Sequence, residues 1–418
     1  MHWMRDWPNP HALFVRGANG AQIECVDGQT YFDFCLGDTA AMFGHSPPAL
    51  VQALHTQAQN GMTCMLPSHF SAQVGARLSE IFGLAQWQLA LSASDANRFV
   101  LRWARAITQR RVLLVFDGCY HGAVDDTLVD RLDRGQVIDR PSALGSVHSH
   151  AETTRVIPFN DLTALQAALA DGQVAALLAE PALTNCGLVL PDAGFWTQAL
   201  EMCRRHGTLL VLDETHTLSS ACGGWARAHG LQPDLLVMGK AIAGGLPCAV
   251  YGFTHEVAKR MRTVKEQSPA GHSGIGTTLS ANLLTMAALQ ASLEHLHTRT
   301  NYAHMLDLAQ TLADGLMQRI RTAQLPWTVT RLGARLELQF MPHPPRQAAD
   351  VRAAHATQGW ALEPLLHLFM LNRGVVLTPF HCMMLVSPIT QSTHVQHLLA
   401  VFDEFVQTLM LPLPPKTP

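Results

Sequence analysis

The stretch Thr208-Leu-Leu-Val-Leu-Asp213-Glu214-Thr215-His216 is followed at a short interval by Leu235-Leu-Val-Met-Gly-Lys240-Ala-Ile-Ala-Gly-Gly245. Each opens on a continuous apolar run, the mark of a strand buried on both faces of a parallel sheet. Each run then ends at a charged residue. In open α/β sheets ligands bind at the carboxyl ends of the strands, so Asp213 and Lys240 are expected on one functional edge. The glycines beside Lys240 let a ligand approach the backbone closely. A lysine in such apolar surroundings loses solvation of its ammonium form, which favours the neutral amine that makes Schiff bases. Taken alone, Lys240 reads as a lysine snorkelling from a strand end. Asp213 shifts the balance, because an unpaired buried carboxylate is costly and a protonated pyridine nitrogen is a fitting partner.

From about residue 90 onward, short apolar runs alternate with longer helical patterns, the signature of strands joined by crossover helices. Strands are predicted at Val112–Phe116, Ala175–Ala179, Thr208–Leu212, Leu235–Met238 and Ala249–Phe253, with Glu180 just past the second. A helix beginning near Asp95 puts Ala96, Phe99, Val100, Trp103, Ala104 and Ile107 on one face, and Arg98, Arg102, Arg105 and Gln109 on the other. After residue 295 the pattern turns to a long helix, a strand at Arg335–Phe340, a Pro-rich connection Met341–Arg346, then a helix and short strands. Near the start, Ala21–Cys25 and Tyr31–Phe34 form a hairpin around Asp27-Gly28, too small for a core of its own. The predicted class is α/β, with a mostly parallel central sheet covered by helices on both faces and a smaller α+β domain built from both chain ends. Its parts are an N-terminal segment 1–45 packing with the small domain, a large domain 46–294 and a small domain 295–418. The tail Pro412–Pro418 reads as disordered.

The 418 residues carry 29 Lys plus Arg against 32 Asp plus Glu, a net charge of −3. That leaves no electrostatic footprint for a nucleic acid or an anionic membrane. Only 15% of residues are charged and 48% are hydrophobic, which predicts extensive burial, part of it at a subunit interface. No apolar run approaches the roughly 20 residues that span a bilayer. Met1–Pro8 lacks the apolar core of a secretory signal, so the expected location is the cytoplasm. Nine cysteines without a C-x-x-C pair read as reduced thiols, and the 22 histidines show no metal-ligand spacing, so no metal site is expected. The only lysines are Lys240, Lys259, Lys265 and Lys416. Lys259 and Lys265 sit on a charged helical face and Lys416 in the tail, so chemistry that needs a lysine falls to Lys240.

Ser92-Ala93-Ser94-Asp95-Ala96-Asn97 is a small-residue turn entering the amphipathic helix. Its backbone N–H groups and the Ser94 hydroxyl suit an anion, although Ser94 reads equally as a simple helix cap. Tyr120, in the loop after the Val112–Phe116 strand, reads either as a ring over a planar ligand or as an ordinary surface tyrosine. A lysine, an acid on the neighbouring strand and a phosphate turn are together what pyridoxal 5′-phosphate requires.

The ordered set of motifs resembles the class III (omega) aminotransferase family of pyridoxal-phosphate enzymes, which includes glutamate-1-semialdehyde aminomutase and beta-amino-acid transaminases. The resemblance runs through Asp27-Gly28, Gly44-His-Ser-Pro47, Ser92–Asn97, Phe116-Asp-Gly-Cys-Tyr-His-Gly122, Glu180-Pro181 with Asn185, Asp213-Glu214, Lys240, Thr277-Thr-Leu-Ser-Ala-Asn282 and Leu371-Asn-Arg-Gly-Val375. It implies fold type I, a homodimer, and transfer of an amino group between an amine or amino acid and a keto acid. It further implies that Lys240 holds the cofactor as an internal aldimine and shuttles the proton, that Asp213 keeps the pyridine nitrogen protonated, and that Tyr120 stacks on the ring beside His121. Ala93 and Ser94 would bind phosphate, joined by Thr278 from the second subunit, while Glu180 and Asn185 would line the ring edge and hydroxyl. Three departures stand out. Ala93 replaces a usual glycine, Thr215-His216 replaces the usual valine plus a variable residue, and Thr277, Ala281 and Leu283 stand where Gly, Gly and Pro are usual. Thr215 and His216 are therefore expected on the ring face opposite Tyr120.

Substrate candidates are Asp38, Thr39, Met42 and Phe43, with Arg335 reaching a substrate carboxylate and Arg5 as a weaker choice. Arg335 reads equally as part of an exposed strand face with Glu337 and Gln339. The alternatives to an aminotransferase are an aminomutase or epimerase using the same lysine, and a non-catalytic binding protein that kept the fold.

Overall fold

A computed structural model describes residues 12–132, 135–146 and 148–410. Arg5, Lys416 and the Pro412–Pro418 tail lie outside the described residues. The central sheet has seven strands in the order Gln86–Ala90, Ala249–Phe253, Leu235–Met238, Leu209–Asp213, Val174–Ala179, Val112–Phe116 and Thr154–Ile157. The five from Leu235–Met238 to Thr154–Ile157 are mutually parallel. Ala249–Phe253 is antiparallel to both its neighbours, which the apolar run could not reveal. Gln86–Ala90, an edge strand of mixed polarity, escaped the sequence reading altogether.

Every residue of Val174–Ala179 and of Leu209–Asp213 is buried. Because successive side chains point to opposite faces, such strands need cover on both sides. The cover includes Ala93–Thr108, Leu162–Leu169 and Phe195–Arg205, each packed on strands of this sheet. Ala93–Thr108 buries Ala96, Phe99, Val100, Leu101, Ala104 and Ile107. It starts two residues before the expected Asp95.

A second core gathers on the three-stranded antiparallel sheet Thr328–Leu332, Arg335–Gln339 and Met383–Leu385. Helices Arg299–Thr322 and Ser392–Met410 fill it with Leu312, Leu316, Leu398, Phe402 and Phe405, around Trp327. Phe34 joins this core from the other end of the chain. The N-terminal hairpin is widened to three strands by Val15–Asn19, and Val375–Val376 adds alongside Thr30–Asp33 in parallel. No helix among the described residues is long and apolar enough to cross a membrane.

Candidate active site

The parallel strands align their carboxyl ends on one edge. The register pairs Asp213 with Val237 and Leu212 with Ala179, so Glu180, Asp213 and Lys240 leave adjacent strands side by side. They open into a cleft of about 320 Å³, whose walls also include Ser92, Ala93, Ser94, Tyr120, His121, Thr215 and His216. Tyr120 is half exposed at this wall. Gly239 lets the Lys240 turn lie against the Ala93 helix: a Cβ there would sit 2.9 Å from that of Ala93.

Asp213 is buried and fully engaged. Its Oδ2 accepts from Asn97 Nδ2 at 2.8 Å and contacts His121 Nδ1 at 3.0 Å, while Oδ1 accepts from the Thr215 N–H at 3.1 Å. Burial alone would disfavour the carboxylate, but these hydrogen bonds and the His121 charge outweigh it and hold Asp213 below the ordinary range. For His121, burial pulls down, yet the neighbouring Cys119 and Asp213 push the ring up to about 10. Asn97 went unrecognised in the sequence as a site residue. Its signal was a polar side chain on the apolar stripe with Leu101 and Ala104, where a buried amide needs a partner.

The Ala93 helix brings its unpaired N–H groups to the cleft. Ser92, not Ser94, is its cap, accepting from the Asp95 N–H at 3.1 Å. Ser94 instead turns its hydroxyl to the Tyr120 loop and accepts from the Ala123 N–H at 3.0 Å. The two meet tightly at Gly122, which has φ of +80° and where a Cβ would fall 2.1 Å from Ser94 Oγ.

Lys240 itself has φ of 47°, and its Nζ lies 2.6 Å from both Asp38 Oδ2 and His216 Nε2. Asp38 arrives on a turn in which Leu36, Gly37, Asp38 and Thr39 all have positive φ. Such backbone is costly for the three that are not glycine, most of all for the β-branched Thr39, and it fixes where the carboxylate points. Burial opposes the Asp38 charge, but His216, Lys240 and Arg335 together hold its carboxyl far below the usual range. His216 is driven the other way, well below its ordinary value, by burial and then by the Lys240 and Arg335 charges.

Arg335 is 1% exposed, and Glu337 and Gln339 are buried beside it, so the reading of this face as exposed is wrong. The alternation of Arg335–Gln339 reflects two buried faces, one on the second core and one on the cleft loops. Arg335 Nη2 donates to Thr39 Oγ1 and lies 2.8 Å from His216 Nδ1. Met42 and Phe43 are not brought to the cleft. Both are buried in the large core, with Phe43 edge-on to His297 and Tyr302, because the left-handed turn before them sends Asp38 to Lys240 and their own side chains inward.

Glu180 is buried, accepts from Thr184 Oγ1, and receives the Tyr120 N–H and Asn185 Nδ2 at 3.4 Å each. Asn185 faces a neighbouring cavity of about 280 Å³ instead of the Lys240 cleft. Thr278 is exposed and lies outside the cleft of its own chain. Among the described residues no group of three His, Cys, Asp or Glu is placed to hold a metal.

Chemically, the cleft combines an amine able to condense with a carbonyl, a buried carboxylate suited to a cationic ring nitrogen, and a helix start suited to an anion. Known proteins carry the same framework. A glutamate-1-semialdehyde 2,1-aminomutase from Sorangium cellulosum strain So ce56 is 33% identical over 371 residues, covering 88% of this chain and 82% of the relative. The crystal structure of a glutamate-1-semialdehyde aminomutase from Pseudomonas aeruginosa PAO1 matches with a TM-score of 0.94 and 44% identity, over 98% of this chain and 91% of that one. A variant of that enzyme has been solved in complex with PMP. An omega-transaminase from Sphaerobacter thermophilus matches with a TM-score of 0.89 and 27% identity, over 97% and 93%. The profile of the class-III aminotransferases matches residues 4–407. The chain belongs to the class-III aminotransferase family.

Proposed function

We infer that the protein moves an amino group between a small amine or amino acid and a keto acid, as an aminotransferase whose cofactor is pyridoxal 5′-phosphate. One observation carries this: the Lys240 amine, the buried Asp213 carboxylate and the start of the Ala93 helix converge on one cleft. The fit extends to orphaned polar atoms at its wall, since Thr215 Oγ1 and His121 Nε2 are buried without a protein partner. The cofactor supplies an aldehyde that condenses with amines and a protonated ring that accepts the electron pair released at the substrate carbon.

The chain's own residues do the rest. Lys240 would hold the cofactor through its amine, and its Nζ would take and return the proton of the substrate carbon. Asp213, kept charged by Asn97 and His121, would hold the proton on the ring nitrogen. Ala93 and Ser94, at the cleft wall, would bind the phosphate. Tyr120 would cover one ring face and Thr215 with His216 the other, while Glu180 would stand at the ring edge and Asn185, which faces the neighbouring cavity, would act through its hydrogen bond to Glu180. Thr278, exposed on its own chain, completes the phosphate site of a second copy, so the working unit is a homodimer.

A second reading is favoured by the P. aeruginosa relative: an aminomutase, in which the nitrogen returns to the same carbon skeleton. A single-turnover assay with a panel of amino donors and no acceptor separates the two. An aminotransferase releases a keto product stoichiometric with the cofactor. An aminomutase isomerises its substrate and releases none. No change in the cofactor's absorption with any donor contradicts both.

A further inference from the structure

Asp38 is a charged carboxylate with one cation in contact. Among the described residues its Oδ2 accepts one hydrogen bond, from Lys240 Nζ at 2.6 Å, and its Oδ1 is buried without a partner. His216 Nδ1 lies 3.8 Å from Oδ1, but burial and the Lys240 and Arg335 charges keep that ring neutral. Arg335 supports the Asp38 charge from further off. Lys240 lines the cleft, and the two side chains are 26% and 24% exposed, so the ion pair is within reach of a ligand there.

The ion pair cannot stay as it is once Lys240 bonds the cofactor. The lysine ammonium carries three N–H groups, whereas a nitrogen joined through an imine to an aldehyde carbon keeps one at most. Asp38, whose Oδ1 is already bare, is then left under-satisfied, which is costly for a charge partly withdrawn from water. An alkylamine approaching the cleft is itself an ammonium, since such amines hold their proton to about pH 10. It carries the donors that Lys240 has given up, on the nitrogen that has to react.

We propose that Asp38 docks the reacting amine: it holds the Lys240 ammonium while the lysine is free, and the ammonium of an incoming amine once the lysine is bonded to the cofactor. This deepens the reading of Lys240 as the lysine that bonds the cofactor and rests on it. Asp38 binds the amine without deprotonating it, because a carboxyl held far below the ordinary range does not keep a proton.

Two calorimetric titrations test this. The first needs no cofactor. Propylammonium reproduces the part of the lysine chain that Lys240→Ala deletes. Cofactor-free Lys240→Ala protein should bind it about tenfold more tightly than the double variant Lys240→Ala, Asp38→Asn, while uncharged 1-propanol should not distinguish them. The second uses N,N-dimethylpropylamine, a tertiary amine that cannot form an imine. Wild-type protein loaded with pyridoxal phosphate should bind it about tenfold more tightly than the pyridoxamine-phosphate form, in which Lys240 is free to occupy Asp38. It should also bind it about tenfold more tightly than Asp38→Asn loaded with pyridoxal phosphate. Equal affinities in either comparison overturn the proposal, as does propylammonium binding that is indifferent to Asp38. Asparagine suits the positive φ of position 38; if Asp38→Asn nevertheless does not fold, the two wild-type forms decide. Wild-type protein that never captures pyridoxal phosphate overturns the cofactor reading instead, and the Lys240→Ala titration still reads Asp38 without it.

Discussion

At Asp213 the buried carboxylate is held by Asn97, His121 and the Thr215 N–H, which favour its charged form at the cleft. Asp213→Asn retains the shape and removes the charge, so kcat should fall by on the order of 10²–10⁴ with little change in folding; steady-state rates beside circular dichroism check this. Glu214, next along the chain, accepts the N–H groups of Trp225 and Ala226, but burial dominates and pushes its carboxyl up to about 7. The folded chain therefore binds that proton more tightly than the unfolded one, whose carboxyl titrates near 4.5. The stability this provides is full below pH 4.5 and is lost as pH rises through 7. Glu214→Gln should flatten the unfolding free energy across that window by up to roughly 3 kcal/mol, and denaturation profiles parallel to wild type would contradict this. Lys240 and Asp213 were legible in the sequence because each ends an apolar run. The meeting of Lys240 with Asp38, 202 residues away, was not, since it depends on a run of positive φ that no local pattern announces.

Among the elements, the Ala93 helix does most to shape the cleft, and its Ser92 cap sets where it begins. Ser92→Ala should cost about 1 kcal/mol of stability and weaken phosphate binding at the same turn; thermal melts and cofactor titration report the two effects. Gly122→Ala should be worse for the cofactor than for the fold, because its methyl group displaces Ser94 from the Tyr120 loop. A titration of Gly122→Ala with unaltered affinity would argue against Ser94 as a phosphate ligand. Parallel strands were readable as elements because burial on both faces leaves no polar alternation. The same logic misled at Arg335–Gln339: alternation there signalled two different buried neighbours, not one wet face, and only the packed structure distinguishes them.

For the whole molecule, Arg335 links the two parts: its strand carries Leu336 and Leu338 of the second core, while its guanidinium reaches His216 at the wall of the Lys240 cleft. The placement of Thr278 outside its own cleft makes a prediction about assembly. Mixed dimers of Lys240→Ala and Thr278→Ala chains contain one site with both defects and one with neither. An equal mixture refolded together should regain about one quarter of wild-type activity, whereas activity no higher than that of Thr278→Ala alone would place Thr278 in its own chain's site or in none. Of the four lysines, Lys240 is the one assigned to bond the cofactor. Reduction of the pyridoxal-phosphate-loaded protein with borohydride, followed by peptide mass mapping, tests it most directly. A pyridoxyl adduct is expected on Lys240 and on no other lysine; an adduct confined to Lys259, Lys265 or Lys416, or no adduct at all, would overturn that assignment.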